Sequence, residues 1–315
     1  MAQLKLLPMS HRCYICYRND LPEGQYYHPA CNQIMFDSDE APKMPYSLAD
    51  MKDLAKKIIQ SRHVVTGVQP KISMGIEKTK RKRGRLTLID NTYIIKPPSE
   101  KFSQLPENED LTMHLAGIAE IYTVPHALIS LASGELAYIT KRIDRVNGKK
   151  VHMEDLCQLS EIITENKYKS TMERVGKVVA FYSSAPGLDL VNLFELTLFC
   201  YITGNNDMHL KNFSLINDRG WILSPAYDLL NVAIANPKDK EETAMSITGK
   251  KSNFSRESFV ELGVNFGLND RQIGNAIRKI KSPFKEYHEM IDQSFLSEDN
   301  KELYLTVLNN RLEVI

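Results

Sequence analysis

The stretch that decides the fold is a polar loop, which reads Gly204-Asn205-Asn206-Asp207-Met208-His209-Leu210-Lys211-Asn212-Phe213. The residues before it, 189–203, are mostly apolar and predict a helix, and Gly204 suits the left-handed position that ends one. Two short apolar runs follow at 213–216 and 221–223, and the turn residues between them predict a hairpin. The loop therefore lies between a buried helix and a small hairpin.

Three polar side chains in and after this loop have the spacing of a metal-dependent phosphotransferase site. Asp207 is followed five residues later by Asn212, and the hairpin separates both from Asp228. The first carboxylate would deprotonate a substrate hydroxyl, while the other two side chains would hold Mg²⁺, which takes few protein oxygens. As a bare pattern this is weak evidence, because a polar loop that caps two elements has the same composition.

Upstream of residue 150 the chain reads as a β-rich region with a lysine at the end of a strand. Short apolar runs at 71–76, 86–89 and 93–95 predict an antiparallel meander, and Lys96 ends the third run. In phosphotransferases a lysine on such a strand binds nucleotide phosphates and pairs with a glutamate on the next helix. Glu109, at the start of the next predicted helix, is the candidate partner.

The segment before the first of these strands is the candidate phosphate-binding loop, because its backbone N–H groups would cover the phosphates of a nucleotide. It holds one glycine, and the sequence contains neither the G-x-G-x-x-G motif of ordinary protein kinases nor the G-x4-G-K-[ST] motif of P-loop enzymes. The nucleotide site therefore rests on the whole set of residues. The loop consists of Thr66, Gly67, Val68, Gln69, Pro70 and Lys71.

The remaining periodicity predicts an α+β fold with two lobes. A small β-rich lobe carries the meander and a further strand at 137–140, and the larger lobe after residue 150 is helical. A basic connector at 78–85 either contacts phosphate or is a solvated hairpin turn. Helices are predicted near 48–60, 107–119, 153–163, 171–183, 189–203, 255–266, 270–281, 284–294 and 298–312.

The first 45 residues contain a cluster of soft metal ligands. The pair Cys13-x2-Cys16 is followed by the pair His28-x2-Cys31, with turn residues between them. Four ligands in two pairs suit a tetrahedral Zn²⁺ with a closed shell, which makes the predicted site structural. The alternative is a set of reduced cysteines in a mobile tail.

Length and composition limit the function classes. The chain has 315 residues, more than a typical single domain, and its 43% hydrophobic and 25% charged residues describe a globular protein. The net charge of +1 provides no overall attraction to nucleic acid or membrane. No apolar run is long enough for a transmembrane helix or a signal peptide, so we expect a cytoplasmic location.

These features divide the chain into three parts. Residues 1–45 form the zinc-knuckle-like segment, residues 46–145 the β-rich, nucleotide-binding lobe, and residues 146–315 the helical lobe with the catalytic loop and metal ligands. Five cysteines in a chain of this size do not suggest a disulfide scaffold, and three of them fall in the knuckle.

Six motifs, taken in order, resemble those of the HipA-type serine/threonine kinases, and most closely the short HipT-like branch of that family. The resemblance runs from about residue 60 to the C-terminus and implies a two-lobed protein-kinase-like fold that uses ATP and Mg²⁺. The motifs lie at 65–71, 93–97, 107–109, 141–145, 204–213 and 225–228.

By position, the resemblance implies a role for each part of the site. Asp207 would be the catalytic base, Asn212 and Asp228 the Mg²⁺ ligands, and Lys96 a ligand of ATP phosphates. Residues 66–71 would form the phosphate loop. The other nucleotide-binding candidates are Lys141, Arg142 and Ile143 as the adenine-binding hinge, Asp144 at the ribose, His209 and Lys211 facing the nucleotide, and Tyr227.

The resemblance also implies a biological role. The protein would be the toxin of a bacterial toxin–antitoxin system and would phosphorylate a translation component such as an aminoacyl-tRNA synthetase. A HipB-like antitoxin would bind it, DNA would be contacted only through that antitoxin, and no membrane is involved.

Two departures from the family pattern are visible. Long HipA proteins carry a sizeable β-rich subdomain before the kinase core, whereas this chain has the Cys/His segment, so a small HipS-like protein would supply the missing part. Family members are autophosphorylated on serines of the phosphate loop, where this chain has Val64 and Thr66. Only Thr66 can accept phosphate, so it is the autophosphorylation candidate.

A non-catalytic module is the alternative function. In that case the zinc knuckle and the basic connector would bind an antitoxin or nucleic acid, and the two lobes would only hold the complex together. The residues argue against it, because Asp207, Asn212 and Asp228 are all competent for catalysis, and a pseudokinase is expected to have lost at least one of them.

Overall fold

The computed structural model describes residues 12–22, 24–62, 70–79, 82–88, 91–146 and 148–315. The strands of the small lobe are β1 (Ile72–Thr79), β2 (Lys82–Thr87), β3 (Tyr93–Lys96), β4 (His126–Ser130) and β5 (Leu136–Lys141). They form one antiparallel sheet in the order β2-β1-β3-β5-β4. The three predicted strands and their antiparallel pairing are confirmed, but the meander is wrong, because β1 lies between β2 and β3 and pairs with both. Strand β4 is an edge strand that the pattern did not predict.

The Cys/His segment packs directly against this sheet. It contains α1 (Pro29–Phe36), and α2 (Leu48–Arg62) follows it. The amide of Leu128 in β4 donates to the carbonyl of Tyr14 at 3.0 Å, and the hydroxyl of Tyr27 donates to the carbonyl of Leu128 at 2.9 Å. The part of the segment that the structure describes is therefore packed into the small lobe, and the alternative of a mobile tail is wrong for it.

Helix α3 (Leu105–Ile118) lies between the two lobes. It packs on β4 and β5 of the sheet and on a C-terminal helix, Phe284–Asp292. Alternate residues of β5 point to opposite faces, so Ile139 packs in the core of the small lobe while Tyr138 packs in the larger core with α3. Helix α3 is thus in a position to connect events in one lobe to the other.

The larger lobe is mainly helical, as predicted. Its central helix spans Pro186–Ile202. Four other helices pack against it, so almost all of its second half is buried. The described part of the chain contains no helix that is both long and apolar enough to cross a membrane. The helices are α4 (Leu156–Leu159), α5 (Met172–Tyr182), α6 (Pro186–Ile202), α7 (Val232–Ala235), α8 (Arg256–Asn265), α9 (Asp270–Lys281), α10 (Phe284–Asp292) and α11 (Glu298–Val314).

Two small sheets accompany these helices. A hairpin is formed by β6 (Arg145–Val146) and β7 (Lys149–Lys150), and a three-stranded sheet contains β8 (Met153–Asp155), β9 (Ser214–Asn217) and β10 (Trp221–Leu223) in the order β10-β9-β8.

The β9–β10 hairpin confirms the prediction, but the helix predicted near 153–163 is wrong. Residues 153–155 are a strand, because Met153 pairs with Ile216 across the sheet, and only the short α4 follows. Asp155 begins that helix with a capping box to Gln158, which explains why the sequence resembled a longer one.

Candidate active site

A glycine turn sets the start of the Asp207 loop. After α6 the chain turns at Gly204, whose φ of 72° is left-handed, as predicted. Its carbonyl accepts hydrogen bonds from the amides of Val232 and Ala233, and a Cβ at this position would lie 2.6 Å from Oδ1 of Asn231. Only glycine meets both the turn and the close approach.

Asp207 and Asn212 are held together inside the loop. The side-chain amide of Asn212 donates to the carbonyl of Asp207 at 3.0 Å, and the amide of His209 donates to the same carbonyl at 2.8 Å. Because the NH₂ group of Asn212 makes this hydrogen bond, its side-chain oxygen is the atom that can coordinate a cation. The spacing of five residues therefore results in direct contact.

Tyr168 contacts the Asp207 carboxylate, and the sequence did not point to it. Its hydroxyl donates to Oδ1 of Asp207 at 2.5 Å, and its ring packs edge-on against His209 with centroids 5.0 Å apart. The tyrosine precedes Asp207 by 39 residues, in a segment between α4 and α5 that carries no motif. Only the fold could have identified it.

Lys96 joins the two lobes at the centre of the site. Its buried Nζ lies 2.6 Å from Oε1 of Glu109 on α3 and 2.5 Å from Oδ1 of Asp228. The pairing of Lys96 with Glu109 predicted from sequence is confirmed. Nζ of Lys71 lies 3.3 Å from Oδ2 of Asp228, so two ammonium groups share one carboxylate. Asp228 has a left-handed φ of 56°, which is unusual outside glycine.

These contacts set the charge of the site. Burial raises the pKa of Glu109 to about 7, with Lys96 opposing the rise. Burial also raises the pKa of Asp228, but Lys96 and Lys71 outweigh it and hold that pKa well below its usual range. Asp228 is therefore ionised at neutral pH, whereas Glu109 titrates close to it.

The remaining residues of the loop face different neighbours. Burial lowers the pKa of His209 to about 4, although Asp207 and Asp228 both act to raise it, and Nδ1 of His209 is buried without a hydrogen-bond partner in the described part of the chain. Lys211 binds Asp155 of β8 at 2.6 Å. The hydroxyl of Tyr227 donates to the carbonyl of Lys211 at 3.1 Å, so Tyr227 supports the loop from behind.

The predicted hinge begins at Lys141, the last residue of β5. The amides of Lys141 and Arg142 donate to the carbonyls of Pro125 and Thr92, so both N–H groups are already used within the protein. Arg142 forms a two-pronged ion pair with Asp144, at 2.8 and 2.7 Å. An adenine bound at Ile143 would therefore have to form its hydrogen bonds with backbone groups of this segment other than the N–H groups of Lys141 and Arg142.

Part of the predicted phosphate loop cannot be placed. Thr66, Gly67, Val68 and Gln69 lie outside the described residues, as does Val64, and the autophosphorylation candidate Thr66 is among them. Pro70 and Lys71 are described, and Lys71 reaches Asp228 from the start of β1.

The Cys/His cluster forms as the spacing predicted. The ligand atoms of Cys13, Cys16, His28 and Cys31 all lie within 4.8 Å of one another. Nδ1 of His28 is 3.3 Å from Sγ of Cys16 and 3.7 Å from Sγ of Cys31, and tetrahedral Zn²⁺ places such atoms about 3.5 Å apart. The residues thus fit a zinc ion.

Two neighbours of the cluster support the same reading. Nε2 of His28 lies 2.7 Å from Oδ1 of Asp20, the carboxylate contact that usually orients a metal-binding histidine. Burial raises the pKa of the Cys16 thiol, but hydrogen bonds from Arg18 outweigh burial and bring it to about 7, which favours the thiolate at this position. Burial raises the pKa of the Cys13 and Cys31 thiols, so these two need the metal ion itself to lose their protons.

The small sheet-bearing lobe, the helical lobe and the lysine that links them define a two-lobed protein-kinase-like α+β fold. The sequence model of the HipA-like C-terminal domain matches residues 64–287. The chain belongs to this family.

Known relatives agree with that assignment. The chain is 29% identical over 294 residues to a putative kinase, Y4dM, of Sinorhizobium fredii, covering 86% of this chain and 67% of the relative. It is 26% identical over 233 residues to the serine/threonine-protein kinase toxin HipA of Shewanella oneidensis. That match covers 67% of this chain and 51% of the toxin, so the chain spans about half of the toxin's length.

A solved structure shows the same fold. A chain in the complex of the Shewanella oneidensis HipA and HipB proteins with operator DNA superposes with a TM-score of 0.66. The identity is 23%, and the match covers 82% of this chain and 70% of that one.

Proposed function

We propose that the protein is an ATP- and Mg²⁺-dependent serine/threonine protein kinase of the HipA type. The observation that carries this proposal is the buried ammonium of Lys96, which lies between Glu109 on α3 and Asp228 of the larger lobe. In kinases this is where nucleotide phosphates and metal meet. Relatives named as kinases support the same activity.

The donor set suits a magnesium–nucleotide complex. Asp228 and the side-chain oxygen of Asn212 are hard oxygen ligands, and two of them suffice for an ion that keeps water and phosphate oxygens. Lys96 and Lys71 bring positive charge to the same place. When bound, Mg²⁺ would neutralise charge that develops on the transferred phosphoryl group.

The chain's own residues then have separate tasks. Asp207 would accept the proton of the substrate hydroxyl, in the place where the Tyr168 hydroxyl now donates. Lys96 would bind phosphate oxygens as its contact with Asp228 opens, and Glu109 would keep it oriented. His209, with a pKa of about 4 because it is buried, is neutral at pH 7 and therefore adds no positive charge beside Asp207.

The substrate and partners are part of this proposal. The resemblance to HipA kinases supports a translation component, such as an aminoacyl-tRNA synthetase, as the phosphorylated protein. The likeness to the HipA–HipB–DNA complex supports a HipB-like antitoxin, with DNA bound only through it, and a small HipS-like protein remains a further partner. Together these make the protein the toxin of a toxin–antitoxin system.

The test is labelling in a bacterial lysate with γ-labelled ATP and Mg²⁺. We compare the wild type with Asp207→Ala and with the control Asp218→Ala, which removes an exposed carboxylate from the β9–β10 turn. We expect label on a specific protein, identified by mass spectrometry, in the wild type and the control but not in Asp207→Ala. Label independent of Asp207, or none at all, would favour the non-catalytic module.

We also propose that the Cys/His cluster binds one structural Zn²⁺. Free thiols are required for this, so the proposal places the protein in the reducing cytoplasm. Metal analysis of the purified protein should find about one zinc per chain. Cys16→Ser and Cys31→Ser should lose it, whereas Cys157→Ser, a buried thiol outside the cluster, should keep it.

A further inference from the structure

Three consecutive polar residues are buried in α3, and each binds a different part of the molecule. Asn108 and Glu109 are 2% exposed and Asp110 is 0% exposed. Asn108 exchanges two hydrogen bonds with the backbone of Asn231, three residues after Asp228, and Glu109 binds Lys96. Buried polar groups are costly without partners, so these contacts fix the position of α3 along and around its axis.

Asp110 holds the third contact, and it leads away from the active site. Its Oδ2 accepts a hydrogen bond from the hydroxyl of Tyr17 at 2.6 Å, and its Oδ1 lies 2.6 Å from Nδ1 of His126 on β4. A carboxylate only accepts, so His126 carries its proton on Nδ1. Nε2 of His114, one turn further along α3, also lies 3.6 Å from Oδ2 of Asp110. The two partners outside α3, Tyr17 and His126, lie on the side of the Cys/His segment and the sheet edge.

Tyr17 belongs to the Cys/His cluster by position and geometry. It directly follows Cys16, is fully buried, and has a left-handed φ of 62°. Its amide donates to the carbonyl of Cys13 at 3.0 Å, so the turn that brings the two thiols together also aims the Tyr17 side chain. The ring packs edge-on against His114 of α3.

The cluster is anchored to the sheet independently of α3. The amide of Leu128 in β4 donates to the backbone carbonyl of Tyr14, a contact that no side-chain variant removes, and the hydroxyl of Tyr27 adds a second bond to the same residue. With the knuckle fixed to the sheet edge, the hydroxyl of Tyr17 holds Asp110 at a set distance from β4. Because Glu109 is the preceding residue, the same contact sets where Glu109 meets Lys96 on β3.

We propose that the zinc-bound Cys/His cluster positions α3 through the Tyr17–Asp110 hydrogen bond and thereby holds Glu109 against Lys96. Tyr17 and Asp110 are then positioning residues for Lys96. Zinc binding at the Cys/His cluster acts on the geometry of the active site through α3. As a statement about catalysis this rests on the proposed kinase function.

The first measurement reads the lysine itself and needs no kinase activity. Purified zinc-loaded protein is treated with an amine-acetylating ester, and modification of Lys96 is followed by mass spectrometry. A Lys96 held by Glu109 is protected. We compare Tyr17→Phe with Tyr27→Phe, which removes a buried hydroxyl of the same knuckle that bonds to β4 rather than to α3.

The expected result is faster labelling of Lys96 in Tyr17→Phe, by about three- to thirty-fold, and little change in Tyr27→Phe. In a Glu109→Gln background, where the pair is already broken, Tyr17→Phe should add almost nothing. Equal effects of the two tyrosine variants, or an effect of Tyr17→Phe that survives in Glu109→Gln, would overturn the proposal.

Two further measurements keep the result clear. Removal of zinc from the wild type with a chelator should reproduce the Tyr17→Phe labelling, and this decides the matter if that variant does not fold. Loss of zinc with no change at Lys96 contradicts the coupling. Calorimetric binding of Mg²⁺–ATP then tests the proposed function separately: an absence of binding sinks that function, while the labelling result still decides the coupling.

Discussion

The hydroxyl of Tyr168 donates a hydrogen bond to Oδ1 of Asp207 over 2.5 Å. The same carboxylate is the proposed acceptor of the substrate proton, and a substrate hydroxyl would have to approach it in a similar way. Tyr168 is 41% exposed, so it lies at the surface of the site and can be displaced. If Asp207 is the base, as proposed, the tyrosine would compete with the substrate for it.

Tyr168→Phe should increase activity toward the protein substrate. The variant keeps the ring that packs on His209 but loses the competing hydroxyl, so we expect kcat/KM for the protein substrate to rise by up to about ten-fold. The KM for ATP should not change. Initial rates with the labelled protein measure this, and Tyr182→Phe, at the same 41% exposure, is the control. A fall in kcat would show instead that Tyr168 supports the base.

The pH dependence of activity should follow Glu109. Burial raises its pKa from 4.5 to about 7, so acidification neutralises the carboxylate and weakens its hold on Lys96. We expect kcat/KM for ATP to fall about ten-fold per pH unit below 7, and Glu109→Gln to flatten the profile. Glu107→Gln is the control. Burial also raises the pKa of Glu107 to about 7, but the carboxylate paired with Lys96 is that of Glu109, so this variant should keep the wild-type pH profile.

Stability should change with pH in the opposite direction. A carboxyl whose folded pKa lies above its unfolded pKa contributes stability that is complete below pH 4.5 and is lost as pH rises through 7. Denaturant midpoints of wild type should therefore fall relative to Glu109→Gln between these two pH values. A midpoint difference that is constant with pH would contradict the assignment.

Local sequence chemistry accounts for much of the fold. Gly204 ends α6 because the turn needs a left-handed residue, and the β9–β10 hairpin follows from its turn residues. The direct contact of Asn212 with Asp207 likewise follows from a spacing of five residues in one loop. Such features are decided by neighbours in the chain, so a single sequence can reveal them.

Contacts between distant segments account for what was missed. The strand at Met153–Asp155 exists because it pairs with β9, and its own acidic residues resemble the start of a helix. Tyr17 bonds to Asp110 over a separation of 93 residues, and neither residue belongs to a motif. The register of a sheet and the packing of a helix decide these contacts, and one sequence carries no pattern for them.

Gly204→Ala should destabilise the protein by about 2 to 5 kcal/mol, since the left-handed φ costs about 1 to 2 kcal/mol and the crowding about 1 to 3 kcal/mol. The added Cβ would lie 2.6 Å from Oδ1 of Asn231, 3.0 Å from Cγ1 of Val307 and 3.1 Å from Cβ of Ala233. Gly187→Ala is the control, because nothing beyond its chain neighbours and the backbone of its own helix turn lies within 4 Å of its Cβ position. Urea unfolding measures both. If Gly204→Ala and Gly187→Ala unfold at the same urea concentration, the loop at Gly204 can shift to accept the methyl group.

Asn212→Ala should raise the Mg²⁺ concentration needed for half-maximal activity. The variant removes one of two proposed protein ligands, so we expect an increase of at least about ten- to hundred-fold, the range found when outer partners of metal ligands are removed. It also removes the hydrogen bond to the carbonyl of Asp207, which would lower kcat at saturating Mg²⁺. Titration of activity with Mg²⁺ separates the two effects, because only a lost ligand is compensated by more metal.

Asn217→Ala, at the end of β9, is the control for this titration. An unchanged half-maximal Mg²⁺ concentration in Asn212→Ala would show that Asn212 is not a ligand of the metal site.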